Sequence, residues 1–164
     1  MANYNYIPPT KPSSKLFDVA KWFLRKEVMN QRKLQKLCYY AQAWHYALLG
    51  TPFFEGEFEA WVHGPVSREL WNCFRDQGYW DIQPEDLDIV EVGLSQDDIS
   101  FLEDVWATYG KYNSYQLEKL SHSEKPWIIA REGIENNMPS KNIISPREMA
   151  DYYYSLRQGD GIGE

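Results

Sequence analysis

The stretch KLQKLCYYAQ, residues 33–42, lies within a clear helical pattern. Apolar residues recur there at steps of three and four, which predicts a helix with one buried face. Asn30 and Gln31 interrupt the preceding pattern, and Gly50 is expected to end the helix because glycine readily adopts a left-handed conformation. The expected buried face comprises Leu34, Leu37, Cys38, Ala41, Trp44, His45 and Leu48.

Similar spacing predicts a helix on either side of this one. The earlier helix begins at Lys15, and Ser13 or Ser14 is available as its cap. The later one begins at Gly64 and Pro65 and runs to about residue 76, because proline at the first helical position lacks only a donor that would be unpaired anyway. The buried stripe of the earlier helix is expected to contain Leu16, Val19, Ala20, Phe23, Leu24 and Val28.

Capping patterns predict the remaining helices. A side chain that accepts from the first helical turn, followed three residues later by a polar partner, is typical of a helix start. A short helical turn is also expected over residues 126–131. The three predicted starts are Ser95 with Asp98, Asn113 with Gln116, and Ser145 with Glu148.

Between residues 53 and 62 the apolar period changes to two, which predicts a short half-buried strand. A hairpin partner for it is expected at residues 88–92. The predicted fold class is therefore mainly α, a single compact domain of about six helices with a small two-stranded β element. Residues 1–14 are expected to form an extended arm, 15–157 the domain, and 158–164 a flexible tail.

Composition excludes several functional classes. The 164 residues carry a formal charge of −7, which is poorly suited to neutralising phosphates, so no nucleic-acid partner is expected. No apolar run is long enough for a membrane span, and the N-terminus lacks the pattern of a secretory signal, which favours the cytoplasm. The charge is unevenly distributed, because residues 76–104 hold ten acids and no Lys or Arg.

Candidate chemistry is sparse. Cys38 and His45 are about 10 Å apart along a helix, too far for a nucleophile and its base. The three histidines do not stand in a metal-ligand spacing, and no phosphate-binding glycine motif is present. The sequence therefore predicts no enzyme, no metal and no cofactor. A small hydrolase that uses Cys38, His63 or His122 is the less favoured alternative.

Aromatic residues are abundant, with seven Trp, twelve Tyr and seven Phe. Helical spacing places Trp22, Trp44, Trp71 and Trp106 in the core. Tyr and Trp are also enriched at binding hot spots, so for each member of a second group both a core and an interface position stay open. That group comprises Tyr39, Tyr40, Trp61, Tyr112 and Tyr115.

Three segments together resemble the Panacea domain family, also called SocA-like antitoxins or phage-associated GepA-type proteins. They are residues 33–42, then Glu59-Ala60-Trp61 with Gly64-Pro65-Val66, and residues 121–127, which read SHSEKPW. Two departures from the family pattern are Ser121, where threonine is usual, and His63, where tyrosine is common. The resemblance implies an antitoxin that neutralises a cognate protein toxin by direct contact. An accessory protein of a phage or mobile element that binds a host factor is the alternative.

The motif residues divide into two expected roles. A structural role is expected for Gln35, Trp61, Gly64, Pro65, Val66, His122, Pro126 and Trp127, because a Gly-Pro turn and a Pro-Trp helix start are structural devices. The central helix is expected to leave Lys33, Lys36, Tyr40 and Ala43 pointing away from the core. The predicted toxin-binding residues are Lys33, Lys36, Tyr39, Tyr40, Tyr112 and Tyr115.

Overall fold

The computed structural model describes residues 14–78, 80–83 and 93–160. Over these ranges the chain is mainly α, as predicted, with seven helices and two small two-stranded sheets. The helices are α1 (Ser14–Lys26), α2 (Gln31–Leu49), α3 (Arg68–Phe74), α4 (Gln96–Tyr109), α5 (Ser114–His122), α6 (Lys125–Ala130) and α7 (Pro146–Asp160). The strands are β1 (Met29–Asn30), β2 (Glu59–Trp61), β3 (Gly64–Val66) and β4 (Asp81–Ile82).

Helix α2 is the centre of the molecule. It packs most extensively on α7 and also contacts α1, α3, α4, α5 and β3. Its residues 33–44 are all buried, including the charged and polar ones. The predicted amphipathic helix with one exposed face is therefore wrong here, because neighbouring elements cover every side of α2 over this stretch.

Local capping sets the helix boundaries that the sequence predicts. The Asn30 side chain accepts from Lys33 N at 3.0 Å, and Gly50 ends α2 with φ of 74°. Helices α4 and α5 both begin with complete capping boxes, and α7 follows a Ser145 hydroxyl that accepts from Glu148 N. These four starts are confirmed, as is the short helix α6.

The predicted β element is only partly right. Strand β2 is limited to Glu59–Trp61 and pairs antiparallel with β3, which follows it directly. On its other edge, Ala60 N donates to Asn142 O and Ile144 N donates to Phe58 O, both at 2.8 Å. The hairpin partner is thus residues 64–66, and the expected partner, residues 88–92, lies outside the described residues.

Helix α3 begins later than predicted. Gly64 and Pro65 belong to β3, and the helix starts at Arg68, with the Ser67 hydroxyl accepting from Leu70 N at 3.2 Å. The φ of Gly64 is 110°, which is far from a helical value and shows why the Gly-Pro pair cannot open the helix. A 3₁₀ turn over Arg75–Gln77 continues α3.

The core forms where α1, α2, α4 and α7 meet. Trp22 and Trp44 are buried as predicted, whereas Trp71 and Trp106 are only half-buried. Val28, predicted to be buried, is 44% exposed because α1 ends at Lys26 before reaching it. Strands β1 and β4 pair antiparallel beside the core. Among the described residues, no helix is both long and apolar enough to cross a membrane.

The predicted arm falls almost entirely outside the described residues, which begin at residue 14. Helix α7 continues to Asp160, and so reaches into the segment predicted as a flexible tail.

Candidate functional site

The β2–β3 hairpin is where the three motif segments meet. An ideal Cβ on Gly64 would lie 2.5 Å from Lys36 Cε and 2.9 Å from Ser121 Oγ. Because those two residues belong to α2 and α5, glycine lets both helices approach the hairpin closely. Its positive φ is a second reason for glycine at this position.

Gln35 connects α2 to the end of the hairpin. Its side-chain oxygen accepts from Ser67 N at 2.8 Å, and its side-chain nitrogen donates to Ser67 O at 3.1 Å. The same nitrogen donates to Gln31 Oε1 at 3.2 Å. These groups are buried, so Gln35 supplies the acceptor that Ser67 N needs, whereas Ser67 O also accepts from Trp71 N at 2.9 Å. Val66 and Pro65 are buried beside it.

The third motif holds the hairpin from the opposite side. Trp127 Nε1 donates to Trp61 O at 2.9 Å, and Arg131 donates to Ala60 O at the same distance. His122 stacks on Trp127 with a centroid distance of 4.1 Å. Burial lowers the pKa of His122 despite the nearby Glu118 and a hydrogen bond to the Val62 backbone. Pro126 is buried at the start of α6.

The predicted exposed face of α2 does not exist. Lys33, Lys36, Tyr40 and Ala43 are 7%, 1%, 0% and 0% exposed. Lys33 Nζ pairs with Glu27 Oε2 at 2.6 Å and donates to Gly110 O at 2.7 Å, so its charge is satisfied internally. The exposure on which the toxin-binding prediction depended is therefore wrong for Lys33, Lys36 and Tyr40. Tyr39, for which a core and an interface role were both open, is 1% exposed and belongs to the core.

Tyr40 belongs to a buried cluster around Glu124. The Tyr40 hydroxyl donates to Glu124 Oε1 at 2.7 Å, and the Tyr153 hydroxyl donates to the same oxygen at 2.8 Å. Tyr40 also stacks on Tyr109, with ring centroids 3.9 Å apart. Burial raises the pKa of Glu124 to about 7, although both tyrosine hydrogen bonds act in the opposite direction. The cluster joins α2, α4 and α7 to the loop before α6.

Tyr112 and Tyr115 have a different environment. Tyr115 is 64% exposed, and Lys119 Nζ lies 5.5 Å from the centre of its ring. Tyr112 is half-buried, and Lys111 Nζ lies 5.3 Å from its ring. These two residues are the predicted toxin-binding tyrosines that reach the surface.

The candidate nucleophile is not assembled. Burial raises the pKa of the Cys38 thiol well above its ordinary value. His45 Nδ1 lies 2.6 Å from Thr51 O, and its ring stacks on Phe53. Across the described ranges, no group of three or more His, Cys, Asp or Glu side chains could hold a metal ion.

Sequence reasoning missed the buried partners of these motifs. Glu124 lies inside the third motif, but its role depends on Tyr153 from a distant helix. Arg131 lies four residues beyond Trp127, and no local pattern marks it. Gln42, at the end of the quoted stretch, accepts from Phe53 N at 2.8 Å and donates to Phe54 O at 2.8 Å. The signal available in the sequence was a glutamine next to Ala41, on the helix predicted to be central to the core.

Comparison with known proteins adds a family. Residues 34–128 match the family model described as antitoxin SocA-like, Panacea domain. The chain is similar to the protein named antitoxin SocA from Caulobacter vibrioides (strain NA1000 / CB15N), with 33% identity over 115 residues. That match covers 64% of this chain and 61% of the relative, so the chain spans less than two thirds of the relative's length. No solved structure matches the chain significantly.

Proposed function

The chain belongs to the SocA-like Panacea family, and on this premise we propose that it is a cytoplasmic antitoxin that neutralises a cognate protein toxin by direct contact. The observation that carries the proposal is the family match over residues 34–128, which spans nearly all of the three motif segments around the hairpin. The similarity to the protein named antitoxin SocA supports the same role. A non-enzymatic role agrees with the separation of Cys38 from His45.

The toxin-binding surface in this proposal is centred on Tyr115 and Tyr112. An exposed tyrosine loses little entropy when ordered, and its ring contributes a large contact area once a partner excludes water. Lys119 and Lys111 lie beside the two rings and supply positive charge. An acidic or amphipathic toxin surface would complement this patch.

The test is co-expression with the neighbouring small open reading frame. We expect that frame to arrest growth when expressed alone and growth to return when this chain is co-expressed, with both proteins purifying as one complex. A neighbour without toxicity, or a toxin that this chain neither binds nor neutralises, would contradict the proposal.

The surface is tested separately with a matched pair of variants. Tyr115→Ala is expected to weaken the complex by about 2 kcal/mol and to release toxicity. Tyr154→Ala is the control, because Tyr154 is 43% exposed on α7 and also lies beside a cation. The Arg157 guanidinium carbon is 5.8 Å from the centre of the Tyr154 ring. Equal toxin affinity in both variants, with both well folded, would exclude the Tyr115 surface while leaving the antitoxin role intact.

A further inference from the structure

A cavity of about 360 Å³ opens between α2, the β2–β3 hairpin and α3. Its volume falls in the range of sites that bind small molecules or single side chains. Two family motifs contribute to its walls. The residues that matter for its chemistry are Lys36, Arg32, Arg75, His63, Trp61 and Trp71.

The lining of this cavity is positive in a negatively charged protein. Among the residues that the structure describes, its lining includes Arg32, Lys36 and Arg75 and no aspartate or glutamate, whereas the whole chain has a formal charge of −7. The nearby carboxylate of Glu118 is hydrogen-bonded to His63 Nδ1 at 3.1 Å. The charge of the cavity therefore favours an anion.

Lys36 lies at the floor of the cavity. It is 1% exposed, and no hydrogen bond or ion pair of its Nζ is found among the described residues, although the charges of Glu118 and Arg32 act on it. Burial lowers the pKa of Lys36 to about 7, with Glu118 raising it and Arg32 lowering it further. A buried amine without a partner is costly, and an incoming anion would supply the missing interaction.

Lys33 shows how the same helix satisfies a lysine that has only a structural role. It is buried to a similar degree, yet its Nζ is 2.6 Å from Glu27 Oε2 and 2.7 Å from Gly110 O. Lys36 has no such arrangement, although its stem is accommodated closely against Gly64. The contrast indicates that the Lys36 amine is held for a group that enters the cavity.

Two indole rings supply the apolar part of the cavity. Trp61 and Trp71 are 5.6 Å apart in an edge-to-face arrangement. The Arg75 guanidinium lies 5.9 Å from the centre of the Trp71 ring and also lines the cavity, so it brings a cation to the same wall as this indole. A ligand with a charged oxygen group and a flat apolar body would match this layout.

We propose that this cavity binds an oxyanion, a carboxylate or phosphate, whose apolar body packs against Trp61 and Trp71. Lys36 donates to the oxyanion from the floor, and Arg75 donates from the rim. The oxyanion belongs either to a free small molecule or to an acidic residue of a protein partner. Binding is a property of this chain alone and does not depend on the proposed antitoxin role.

The first experiment titrates the purified chain with phenyl phosphate, phenylacetate and inorganic phosphate, followed by tryptophan fluorescence and calorimetry. We expect phenyl phosphate to bind with a change in fluorescence and more tightly than inorganic phosphate. Lys36→Met, which keeps the length of the stem, should weaken binding by about tenfold or more. Lys125→Met is the control, because Lys125 is exposed and lies outside the cavity.

A second variant keeps the test independent of whether Lys36→Met folds. Arg75 is exposed, so Arg75→Gln should fold normally and still weaken phenyl phosphate binding. Failure of all three probes to bind the wild-type chain, or equal binding by wild type and both variants, would overturn the proposal.

Calorimetry also tests the protonation of Lys36. At neutral pH, anion binding should take up protons, and this uptake should be smaller in Lys36→Met. His63, Glu118 and His122 are the other ionisable side chains near Lys36, and all three are present in both proteins. Equal proton uptake in the two proteins would count against Lys36 as the donor.

The source of the oxyanion is resolved by two further measurements. A small acidic molecule released from the denatured chain and identified by mass spectrometry would support a free ligand. Competition between phenyl phosphate and the cognate toxin, with no released molecule, would support an acidic residue of the partner.

Discussion

Replacing Glu124 by glutamine is expected to remove a large part of the pH dependence of the free energy of unfolding. Burial raises the pKa of Glu124 from 4.5 to about 7. The folded state therefore retains this proton at pH values where the unfolded chain has already lost it. The resulting stabilisation is fully present below 4.5 and is lost as pH rises through about 7.

The size of the effect follows from that difference. At about 1.4 kcal/mol per pKa unit, the rise of the Glu124 pKa from 4.5 to about 7 corresponds to about 3 kcal/mol in the free energy of unfolding. About 2 kcal/mol of this should be lost between about pH 5 and about pH 7. Lys36 acts mainly above this window, because its pKa of about 7 in the folded state lies below its ordinary value of 10.5 and its stabilising effect grows with rising pH.

Urea unfolding at the two pH values measures the difference. Glu124→Gln retains an oxygen that can accept from Tyr40 and Tyr153, so the hydrogen bonds persist while the titration disappears. Tyr153→Phe is the matched control, because it keeps the Glu124 carboxyl group and removes one hydrogen bond that lowers the pKa of that group. The free energy of unfolding of this variant should therefore depend on pH at least as strongly as that of the wild type. The reasoning is refuted if wild type and Glu124→Gln lose equal stability between the two pH values.

Three further predictions concern single sites. In urea unfolding, Gly64→Ala should lower the free energy of unfolding by about 2 kcal/mol or more, because the added Cβ would meet two helices. Gly50→Ala, whose Cβ would meet open space, should lower it by about 1 kcal/mol. Equal losses would contradict the close approach of the helices to Gly64. Alkylation followed by mass spectrometry should label the exposed Cys73 in the native chain and Cys38 only in denaturant; native labelling of Cys38 would show that the core opens. His122→Ala should lower the melting temperature by removing the ring stacked on α6; unchanged stability with lost toxin neutralisation would place His122 in the binding surface.

Much of the helical structure was predictable because its signals are local. The side chains of Ser95, Asn113 and Ser145 accept from backbone groups only three residues away, so the pattern that predicts each helix also forms its cap. Gly50 ends α2 for a similarly local reason. The three motif segments were also visible in the sequence, and they meet at one hairpin in the structure.

The hairpin itself shows where local reasoning stops. Gly64 and Pro65 fit a helix start as well as a strand, and the choice between them depends on Glu59–Trp61 pairing across the turn. The Ser67 cap then starts the helix three residues beyond Pro65. The three residues of 64–66 are too few to show a period of their own, so periodicity alone could not identify them as the partner of β2.

The sequence by itself determined the mainly helical class, the principal helix starts and the family to which the chain belongs. Only the tertiary structure decided that α2 is covered on every side over residues 33–44. Lys33, Lys36 and Tyr40 look like one polar face on a helical projection, yet Glu27, the hairpin and Glu124 cover them from three separate parts of the chain. The physical reason is that a polar side chain can be buried whenever a partner or a cavity meets it. Those partners come from segments whose positions no helical period encodes.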